Sequence, residues 1–578
     1  MNPQRLLQHF DRIAEAPDAV ARLRRFILDL AVRGKLVEQN LDDEPASELL
    51  KRIEGEKARL VKAGEIRKPR DLSDDHEVAQ PFHVPASWRW CRLDAVGAII
   101  GGGTPSAADS ENFAPPGEGI PWLTPADLGG YTALYIGRGS RDLSEKGLKA
   151  SSATMLPAGS VLFTSRAPIG YVAIAANPIS TNQGFKSVVP YVGDCSRFIA
   201  LGMQTFAPDI DARAPGTTFK EVSGKIVAGI PFPVPPLHEQ HRIVAKVDEL
   251  MALCDRLEAA QTKREQRRDR LVAASLSRIN QPAPSAEGEA ATAFRDHARF
   301  HLDHLPRLTT RPEHIKSLRQ TILNLAVHGC LVPQHPNDEP AAEQLRRISE
   351  QRDKSSKRHK MRQMEKPHLW PDKEAQQLPT GWSWMNLGEV ALSMRYGTSV
   401  KCNYDDSGVP VLRIPNVSSG KITLEDLKYG PLKSTDASEL SLNVGDLLLI
   451  RSNGSIHIVG RAAVVTADAA EMSFAGYLVR LRLNNREISP NYVWTVLNST
   501  EIRGQIEEPI RSAVGLKNVN LTEFGALSFR LPPLAEQHRI VAKVDKLMDI
   551  CDQLEAQLTI TQTDSRRLLD GLLHEALA

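Results

Sequence analysis

The sequence predicts an α+β fold built as an internal duplication, in which two copies of a helical frame each hold a β-rich insert. Residues 23–53 and 318–348 are identical at 19 of 31 positions, at an offset of 295. Residues 235–259 and 532–556 are identical at 20 of 25 positions, at an offset of 297. Between these blocks the halves diverge. A period of half the chain is far too long for a solenoid, so the sequence predicts two related halves.

The composition is that of an ordinary globular protein. The chain has 578 residues, 41% of them hydrophobic and 25% charged, which predicts roughly three to five domains. We find no apolar run long enough to span a membrane and no signal peptide. Six scattered cysteines favour a reducing compartment, so we expect a cytoplasmic protein. The formal net charge of +2 predicts nothing about nucleic acid.

The repeats and the changes in composition divide the chain into seven segments. These are, with their expected character, a helical frame (1–83), a first β-rich domain (84–234), a first long helix (235–280), a linker (281–310), a second helical frame (311–377), a second β-rich domain (378–531) and a second long helix (532–578).

Each long helix is predicted from a proline pair followed by a regular apolar pattern. Pro235-Pro236 and Pro532-Pro533 suit a helix start. Apolar residues then recur four and three residues apart, which is typical of a coiled-coil seam. At 1.5 Å per residue, the first helix would be roughly 60 Å long. The seam residues are Ile243, Val247, Leu250, Cys254 and Leu257 in the first half and Ile540, Val544, Leu547, Cys551 and Leu554 in the second.

The inserts are predicted to be rich in β-strands. Leu156–Ala175 and Leu442–Val465 each contain short apolar runs bounded by Gly, Pro and Asn. Gly119–Leu123 and Gly408–Leu412 form another matching pair of strand signals. Each insert has about 150 residues, enough to bury a core of its own.

Catalytic and metal-binding motifs are not recognisable in this sequence. The Gly-Lys pairs lack the spacing and the hydroxyl of a phosphate-binding loop. His238 and His241 are three residues apart, whereas two zinc ligands on one helix face need a spacing of four, and the counterpart of His238 in the repeat is Ala535. We therefore predict a non-catalytic protein without a metal.

Two weaker clusters leave alternatives open. His297, His301 and His304 have helical spacing and could bind a metal, but a solvated helix face is favoured. Cys254 and Cys551 occupy matching seam positions and could face each other, but two buried thiols packed as small apolar groups are favoured.

Polar and basic residues at the predicted strand ends are the candidates for function. Arg, Asn, Gln, Ser and Thr side chains read base edges and bind phosphates, although such residues also fill most loops. The candidates are Thr164, Ser165, Arg166, Asn182, Gln183, Thr217, Thr218 and Lys220 in the first insert, and Arg413, Arg451, Ser452, Asn453, Lys517 and Asn518 in the second.

The paired blocks resemble a known family. Residues 216–251, GTTFKEVSGKIVAGIPFPVPPLHEQHRIVAKVDELM, are similar to the junction between a target-recognition domain and a conserved helix in the specificity subunits of type I restriction–modification systems. LPPLAEQHRIVAKVDKLM, at 531–548, is the second occurrence that the two-copy plan of the family requires. The long segment before Trp88 resembles the longer-chained branch of the family.

The resemblance implies a DNA-reading subunit without catalytic activity of its own. Each insert would bind one half of a split target in double-stranded DNA, and the two long helices would pack antiparallel as a spacer. Two methyltransferase subunits would dock on the frame, and motor-nuclease subunits would join for restriction. The resemblance implies no cofactor in this chain, since S-adenosylmethionine and adenine methylation belong to the methyltransferase.

The resemblance also ranks some of the candidates. Thr217, Thr218 and Lys220 match the GTTFK motif of the family, but only the lysine recurs in the second half, as Lys517. A phosphate-binding role is therefore better supported for the lysines than for the threonines. Residues 181–185 match another motif of the family, which could serve either DNA binding or the fold.

Two rival interpretations remain at this point. One is an enzyme, a methyltransferase whose catalytic motif is disguised. The other is a helical adaptor whose inserts bind protein instead of DNA.

Overall fold

The computed structural model describes residues 16, 18–66, 78–166, 168–215, 220–280, 289–356, 378–511 and 517–577. The chain divides into two compact units. Unit 1 comprises residues 1–263 and 562–578, and unit 2 comprises residues 264–561. Each unit therefore combines most of one half of the sequence with the end of a helix from the other half.

The first half contains seven helices and eleven strands among its described residues. The helices are α1 (Ala19–Val32), α2 (Ala46–Lys62), α3 (Leu93–Val96), α4 (Glu145–Lys149), α5 (Ser196–Arg213), α6 (Gly224–Ala228) and α7 (Leu237–Ile279). The strands are β1 (Arg89–Arg92), β2 (Gly97–Gly101), β3 (Phe113–Ala114), β4 (Ile120–Leu123), β5 (Tyr135–Ile136), β6 (Arg141–Leu143), β7 (Val161–Ser165), β8 (Ile169–Ala175), β9 (Ser180–Thr181), β10 (Lys186–Pro190) and β11 (Pro231–Val234).

The second half contains ten helices and eleven strands among its described residues. Its described helices are α8 (Glu289–Asp303), α9 (Leu305–Leu308), α10 (Pro312–Val327), α11 (Ala341–Ser356), α12 (Leu387–Val390), α13 (Ser434–Leu440), α14 (Pro490–Leu497), α15 (Thr500–Arg511), α16 (Leu521–Ala526) and α17 (Leu534–Leu577). Its described strands are β12 (Ser383–Asn386), β13 (Ala391–Tyr396), β14 (Val409–Leu412), β15 (Lys428–Gly430), β16 (Leu447–Ile450), β17 (Ser452–Asn453), β18 (Ala462–Val464), β19 (Ser473–Phe474), β20 (Leu478–Leu483), β21 (Lys517–Asn518) and β22 (Ser528–Leu531).

Each insert is joined to its frame by a short antiparallel strand pair. β1 pairs with β11 in the first half, and β12 pairs with β22 in the second. Beyond these pairs, the first insert has sheets of order β2-β10-β7-β8-β5 and β3-β6-β4-β9. The second has sheets of order β13-β20-β16-β18 and β15-β14-β19, and a small pair, β17-β21. The prediction of two β-rich inserts is confirmed.

The frame helices end in the same way in both halves. Gly34 follows α1 with φ +68°, and the Lys35 N–H donates to the Leu30 carbonyl at 3.0 Å. Gly329 follows α10 with φ +72° and the corresponding bond. A Cβ at Gly34 would lie 2.5 Å from the Pro85 ring, so both the positive φ and the close packing require glycine here.

The contacts at the start of each long helix explain why residues 235–259 and 532–556 are so similar. Glu536 is buried and accepts hydrogen bonds from the Trp382 indole at 3.0 Å and the Gln334 amide at 3.3 Å. Gln537 donates to the Pro532 carbonyl at 2.9 Å, and Arg539 pairs with Asp338 at 2.6 Å. The proline pair therefore begins a helix whose first turn is fixed by side-chain bonds.

The first half makes three equivalent bonds. Glu239 accepts from Gln39 at 2.6 Å, Gln240 donates to the Pro235 carbonyl at 3.1 Å, and Arg242 pairs with Asp43 at 2.6 Å. Burial raises the pKa of Glu239, as it raises the pKa of Glu536. The shared sequence thus encodes one structural junction used twice.

The direction of the long helices follows from the order of their ion pairs in unit 1. Arg24 in α1 contacts Asp255 of α7 at 2.6 Å, whereas Arg242, nearer the start of α7, contacts Asp43 beyond the end of α1. α7 therefore runs antiparallel to α1. The last turns of α17 run parallel to α1, because Asp570 contacts Arg22 and the later Leu577 carbonyl accepts from Lys35 at 2.7 Å.

Unit 2 has the same arrangement around α10. Arg319 in α10 contacts Asp552 and Glu555 of α17 at 2.5 and 2.7 Å, and Arg539 contacts Asp338, so α17 runs antiparallel to α10. The end of α7 runs parallel to α10. Its Asp269 contacts Arg311, and Asn280 donates to Thr321 at 3.1 Å. Within each unit, the start of one long helix and the end of the other run in opposite directions, as predicted.

The predicted seam residues lie in the hydrophobic cores. Ile243, Val247 and Cys254 are buried in a cluster with residues of α1, and Leu250 and Leu257 pack against it. Ile540, Val544 and Cys551 are buried in a cluster with residues of α10 and of the end of α7, and Leu547 and Leu554 pack against it. Direct pairing of the two seams stays a prediction. The cysteine thiols are free and buried, and burial raises the pKa of each.

The favoured interpretation of the histidine cluster is wrong for His301. A solvated helix face was expected, but the His301 side chain is buried, and its Nδ1 lies 3.0 Å from the Ser275 hydroxyl of α7. His301 joins α8 to the end of the long helix, and its burial lowers its pKa. Periodicity did not reveal this, because the partner lies 26 residues earlier in the chain.

Candidate nucleic-acid interface

In the second insert, a small strand pair brings two of the predicted segments together. β17 pairs antiparallel with β21, so that Ser452 lies opposite Asn518 and Asn453 lies opposite Lys517. These segments are more than 60 residues apart in the chain. Five of the six candidates in this half are therefore neighbours: Arg451, Ser452, Asn453, Lys517 and Asn518.

Arg451 is held in place by three contacts. Its guanidinium lies over the Tyr396 ring, 4.2 Å from the ring centroid, and its Nε donates to the Asn518 side-chain oxygen at 3.1 Å. Its backbone N–H donates to the Tyr477 carbonyl at 2.9 Å. Tyr477 itself is 63% exposed.

The first insert has the same backbone arrangement with different side chains. The Val222 N–H donates to the Ser165 carbonyl at 2.9 Å, and the Val519 N–H donates to the Arg451 carbonyl at the same distance. Ser165 is therefore the counterpart of Arg451. Arg166, which follows it, forms a bridge with Glu221, and their charged groups are 3.9 Å apart.

Lys186 belongs to the same cluster in the first insert. Its ammonium lies 3.9 Å from the Glu221 carboxylate and 3.3 Å from the Gln183 carbonyl, to which it donates. Burial lowers the pKa of this lysine, an effect that Glu221 opposes. Sequence reasoning missed Lys186, although it begins the strand that follows the Asn182-Gln183 turn.

The structure places Thr164 and Ser165 differently from the prediction. Both were predicted to lie in an insert loop at a strand end, but both lie within β7 and are fully buried. The Thr164 hydroxyl accepts from the Tyr171 N–H at 2.9 Å, and the Ser165 hydroxyl donates to the Gly184 carbonyl at 3.2 Å. Because they are enclosed and bonded to protein, neither contacts a ligand in this conformation.

Asn182 and Gln183 form a turn beside β7. The Asn182 side-chain oxygen accepts from the Gly184 N–H at 2.8 Å, so this residue shapes the turn. Gln183 is exposed and accepts from the Thr104 hydroxyl. Of this pair, Gln183 presents the side chain to solvent.

The two predicted phosphate-binding lysines lie at equivalent positions. Lys220 is exposed, donates to the Asp211 carbonyl at 3.0 Å and lies 3.6 Å from its carboxylate. Lys517 lies in β21. Thr217 and Thr218 lie outside the described residues.

Arg413 is placed differently from Arg451. It begins a 3₁₀ turn after β14, and its guanidinium pairs with the Asp426 carboxylate at 2.8 Å. Asp426 also accepts from the hydroxyl of Tyr404, which is 65% exposed, at 2.7 Å. These bonds lower the pKa of the Asp426 carboxyl. The charge of Arg413 is therefore balanced within the insert.

Comparison with known sequences identifies the family. The family described as "Type I restriction modification DNA specificity domain" matches residues 85–265 and 379–561. Each match covers one insert and the first part of the long helix that follows it, and together they span more than half of the chain. The chain belongs to the family of type I restriction–modification DNA specificity subunits.

Named relatives match nearly the whole length of this specificity subunit. The type I restriction enzyme EcoEI specificity subunit of Escherichia coli is 28% identical over 577 residues, covering 96% of this chain and 94% of the relative. The EcoAI specificity subunit of the same species is 27% identical over 570 residues, with the same coverage. The MjaIX specificity subunit of Methanocaldococcus jannaschii is 39% identical over 165 residues, or 28% of this chain.

Family membership fixes the general role of the chain. It is a DNA sequence-recognition subunit of a restriction–modification system and not itself an enzyme. The prediction made from the paired blocks is confirmed at this level. No helix in the described part of the chain is long and apolar enough to cross a membrane.

Proposed function

We propose that the two inserts read the two unlike halves of a bipartite, asymmetric target in double-stranded DNA. The observation that carries the proposal is the contrast between frame and insert. Both halves use the same Glu, Gln, Arg and Asp contacts at the start of the long helix. By contrast, Ser165 and Arg451 differ at equivalent positions of the inserts. A shared scaffold with unlike reading surfaces suits a target whose halves differ.

The duplicated frame supports a further part of the proposal, which concerns partners. Two equivalent frames in one chain offer two equivalent surfaces, as the two subunits of a homodimer do. We propose that two methyltransferase subunits dock on them, so that one adenine in each half of the target is methylated at N6. Motor-nuclease subunits join this complex for restriction. The methyl donor, S-adenosylmethionine, is bound by the methyltransferase.

Exchange of one insert tests the proposal. Residues 91–216 are replaced by the corresponding insert of another specificity subunit with a known target, and the complex with the methyltransferase is selected on a library of random DNA. We expect one half of the bound sequence to change, with the other half and the assembly of the complex unaltered. The matched control exchanges residues 385–513, which should change the opposite half.

The same experiment decides between the proposal and its rivals. Loss of assembly with an unchanged DNA preference would favour an adaptor whose inserts bind protein. For the enzymatic alternative, the purified chain alone is incubated with DNA and labelled S-adenosylmethionine. We expect no methyl transfer without the partner, and efficient transfer by the chain alone would overturn the proposal.

A further inference from the structure

We infer that Arg451 is a specificity-determining residue that reads a guanine in the half-site bound by the second insert. This inference rests on the proposed function and adds to it a residue, a base and a geometry. It is carried by the difference between Arg451 and the other candidate arginines, Arg166 and Arg413.

The first step concerns charge. Arg413 pairs with Asp426 at 2.8 Å, and Arg166 faces Glu221 at 3.9 Å. Arg451 is held instead by neutral groups, the Tyr396 ring and the Asn518 amide. Its positive charge is therefore not balanced by these partners and remains available to an electronegative ligand.

The second step concerns the donors that remain. Asn518 takes the Nε–H of Arg451, and within the part of the chain that the structure describes neither Nη atom has a hydrogen-bond partner. The two Nη atoms carry N–H groups that can donate two parallel hydrogen bonds to one ligand. Guanine presents two acceptors, O6 and N7, on its major-groove edge, and the paired contact with arginine is the commonest specific contact to DNA.

The third step concerns orientation. The contact with the Tyr396 ring and the bond from Nε to the Asn518 side-chain oxygen hold the guanidinium on two sides. A phosphate can be approached from many directions, whereas a base edge must be met in its own plane. A guanidinium held rigidly in advance therefore suits a base better than a phosphate.

The two halves should differ at this point. The counterpart of Arg451 is Ser165, whose side chain is buried. The first insert therefore has no arginine for a base contact at the equivalent position. We expect Arg451 to affect one half-site only.

The test compares Arg451→Ala, Arg451→Lys and wild type in the complex with the methyltransferase, by selection on a random DNA library. The wild-type motif is determined first. In Arg451→Ala, we expect the preference for guanine at one position of the second half-site to fall about 10- to 100-fold, with the first half-site unchanged. Lysine, a point charge without a planar fork, should not restore it. Arg395→Ala, which removes an arginine of the same insert that pairs with Glu439, is the matched control and should leave the motif intact.

Two further variants test the positioning. Tyr396→Leu and Asn518→Ala should each relax the same position partially, whereas Tyr396→Phe keeps the ring and should retain the preference. The other positions of the second half-site, which should stay unchanged, show in every variant that the second insert has folded.

Other results would overturn the inference. A uniform loss over all sequences with a shallower salt dependence would make Arg451 a phosphate contact. An unchanged motif, or relaxation in the first half-site, would remove it from base reading. Absence of any bipartite motif in the wild type would instead overturn the proposed function itself, so the two failures are distinguishable.

Discussion

The two halves of the chain are alike at the junctions where the long helices start, but they differ on the surfaces beside β7 and β16. At the junctions, Glu239 and Glu536 are both buried and both accept hydrogen bonds from a frame glutamine. Beside the strands, the backbone bonds are kept, but Ser165 stands where the other half has Arg451. The two halves therefore share the contacts of the junction, whereas the inserts carry different side chains at equivalent backbone positions.

The largest expected effect concerns the junction. Trp382→Ala removes a buried indole that donates to Glu536, and we expect the free energy of unfolding to fall by about 3–5 kcal/mol. Trp88→Ala, its counterpart in the first half, should cost a similar amount, because Trp88 is also buried. Urea denaturation measures both. A loss below about 1 kcal/mol in only one of the two variants would show that the junctions are not equivalent in stability.

The seam provides a second comparison of the halves. Ile540→Ala empties a fully buried position in α17, and we expect a loss of about 2–5 kcal/mol. Ile243→Ala, at the matching buried position of α7, should behave alike, and Leu547→Ala should cost less because Leu547 is only partly buried. Thermal melting of the three variants ranks them. An unchanged melting temperature for Ile540→Ala would count against the burial of the seam.

Lysine substitutions test whether both inserts have a phosphate contact in common. Lys220→Ala and Lys517→Ala are each expected to weaken DNA binding for all sequences and to reduce the slope of log affinity against log salt by about one, as loss of one phosphate contact does. Binding to specific and unrelated duplexes at several salt concentrations measures this. If either variant lost only one half-site, the lysine would be reading bases.

The smallest expected effect is a pH dependence that only one half has. Burial lowers the pKa of His314, whose Nε2 lies 2.8 Å from Asp269 at the end of α7. Arg311 and Arg268 also lower this pKa, whereas Glu265 and Glu313 raise it. The unfolded chain therefore binds a proton that the folded chain resists. The contribution of His314 to folding stability is fully present above the ordinary histidine pKa of about 6.5. It is lost as the pH falls below that value.

Hydrogen exchange measures this difference between the halves. Exchange in α10 should rise on acidification from pH 7 to pH 5.5, after correction for the intrinsic pH dependence of exchange. α1 has Ala19 at the position of His314 and should not respond. The substitution His314→Asn should reduce the response, and the remainder comes from His328 at the end of α10, whose pKa is also lowered by burial. An equal response of α1 and α10 would contradict the assignment to these histidines.

The sequence alone predicted the duplicated plan accurately. The prolines and the apolar spacing indicated a helix of about 40 residues, and α7 has 43 residues, Leu237–Ile279. The strand signal in Leu442–Val465 contains β16 and β18. These features depend on local patterns and on comparison of the two halves, both of which a single sequence contains.

The candidate interface was harder to predict, because burial there depends on distant residues. β7 is buried at every position, so protein encloses the hydroxyls of Thr164 and Ser165, although both residues were predicted in a loop at a strand end. The partners of Arg451, Tyr396 and Asn518, lie 55 and 67 residues away in the chain. No local pattern in the sequence indicates that these residues are in contact with Arg451.

The central claim is that one chain holds two independent readers of DNA on a duplicated frame. Mapping of methylated adenines, in cells that express the complex with its methyltransferase, tests this claim most directly when wild type is compared with the chain carrying a foreign insert at 91–216. We predict a two-part asymmetric motif in the wild type and replacement of a single part in the exchanged chain. A continuous motif, or a change of both parts after one exchange, would contradict the account.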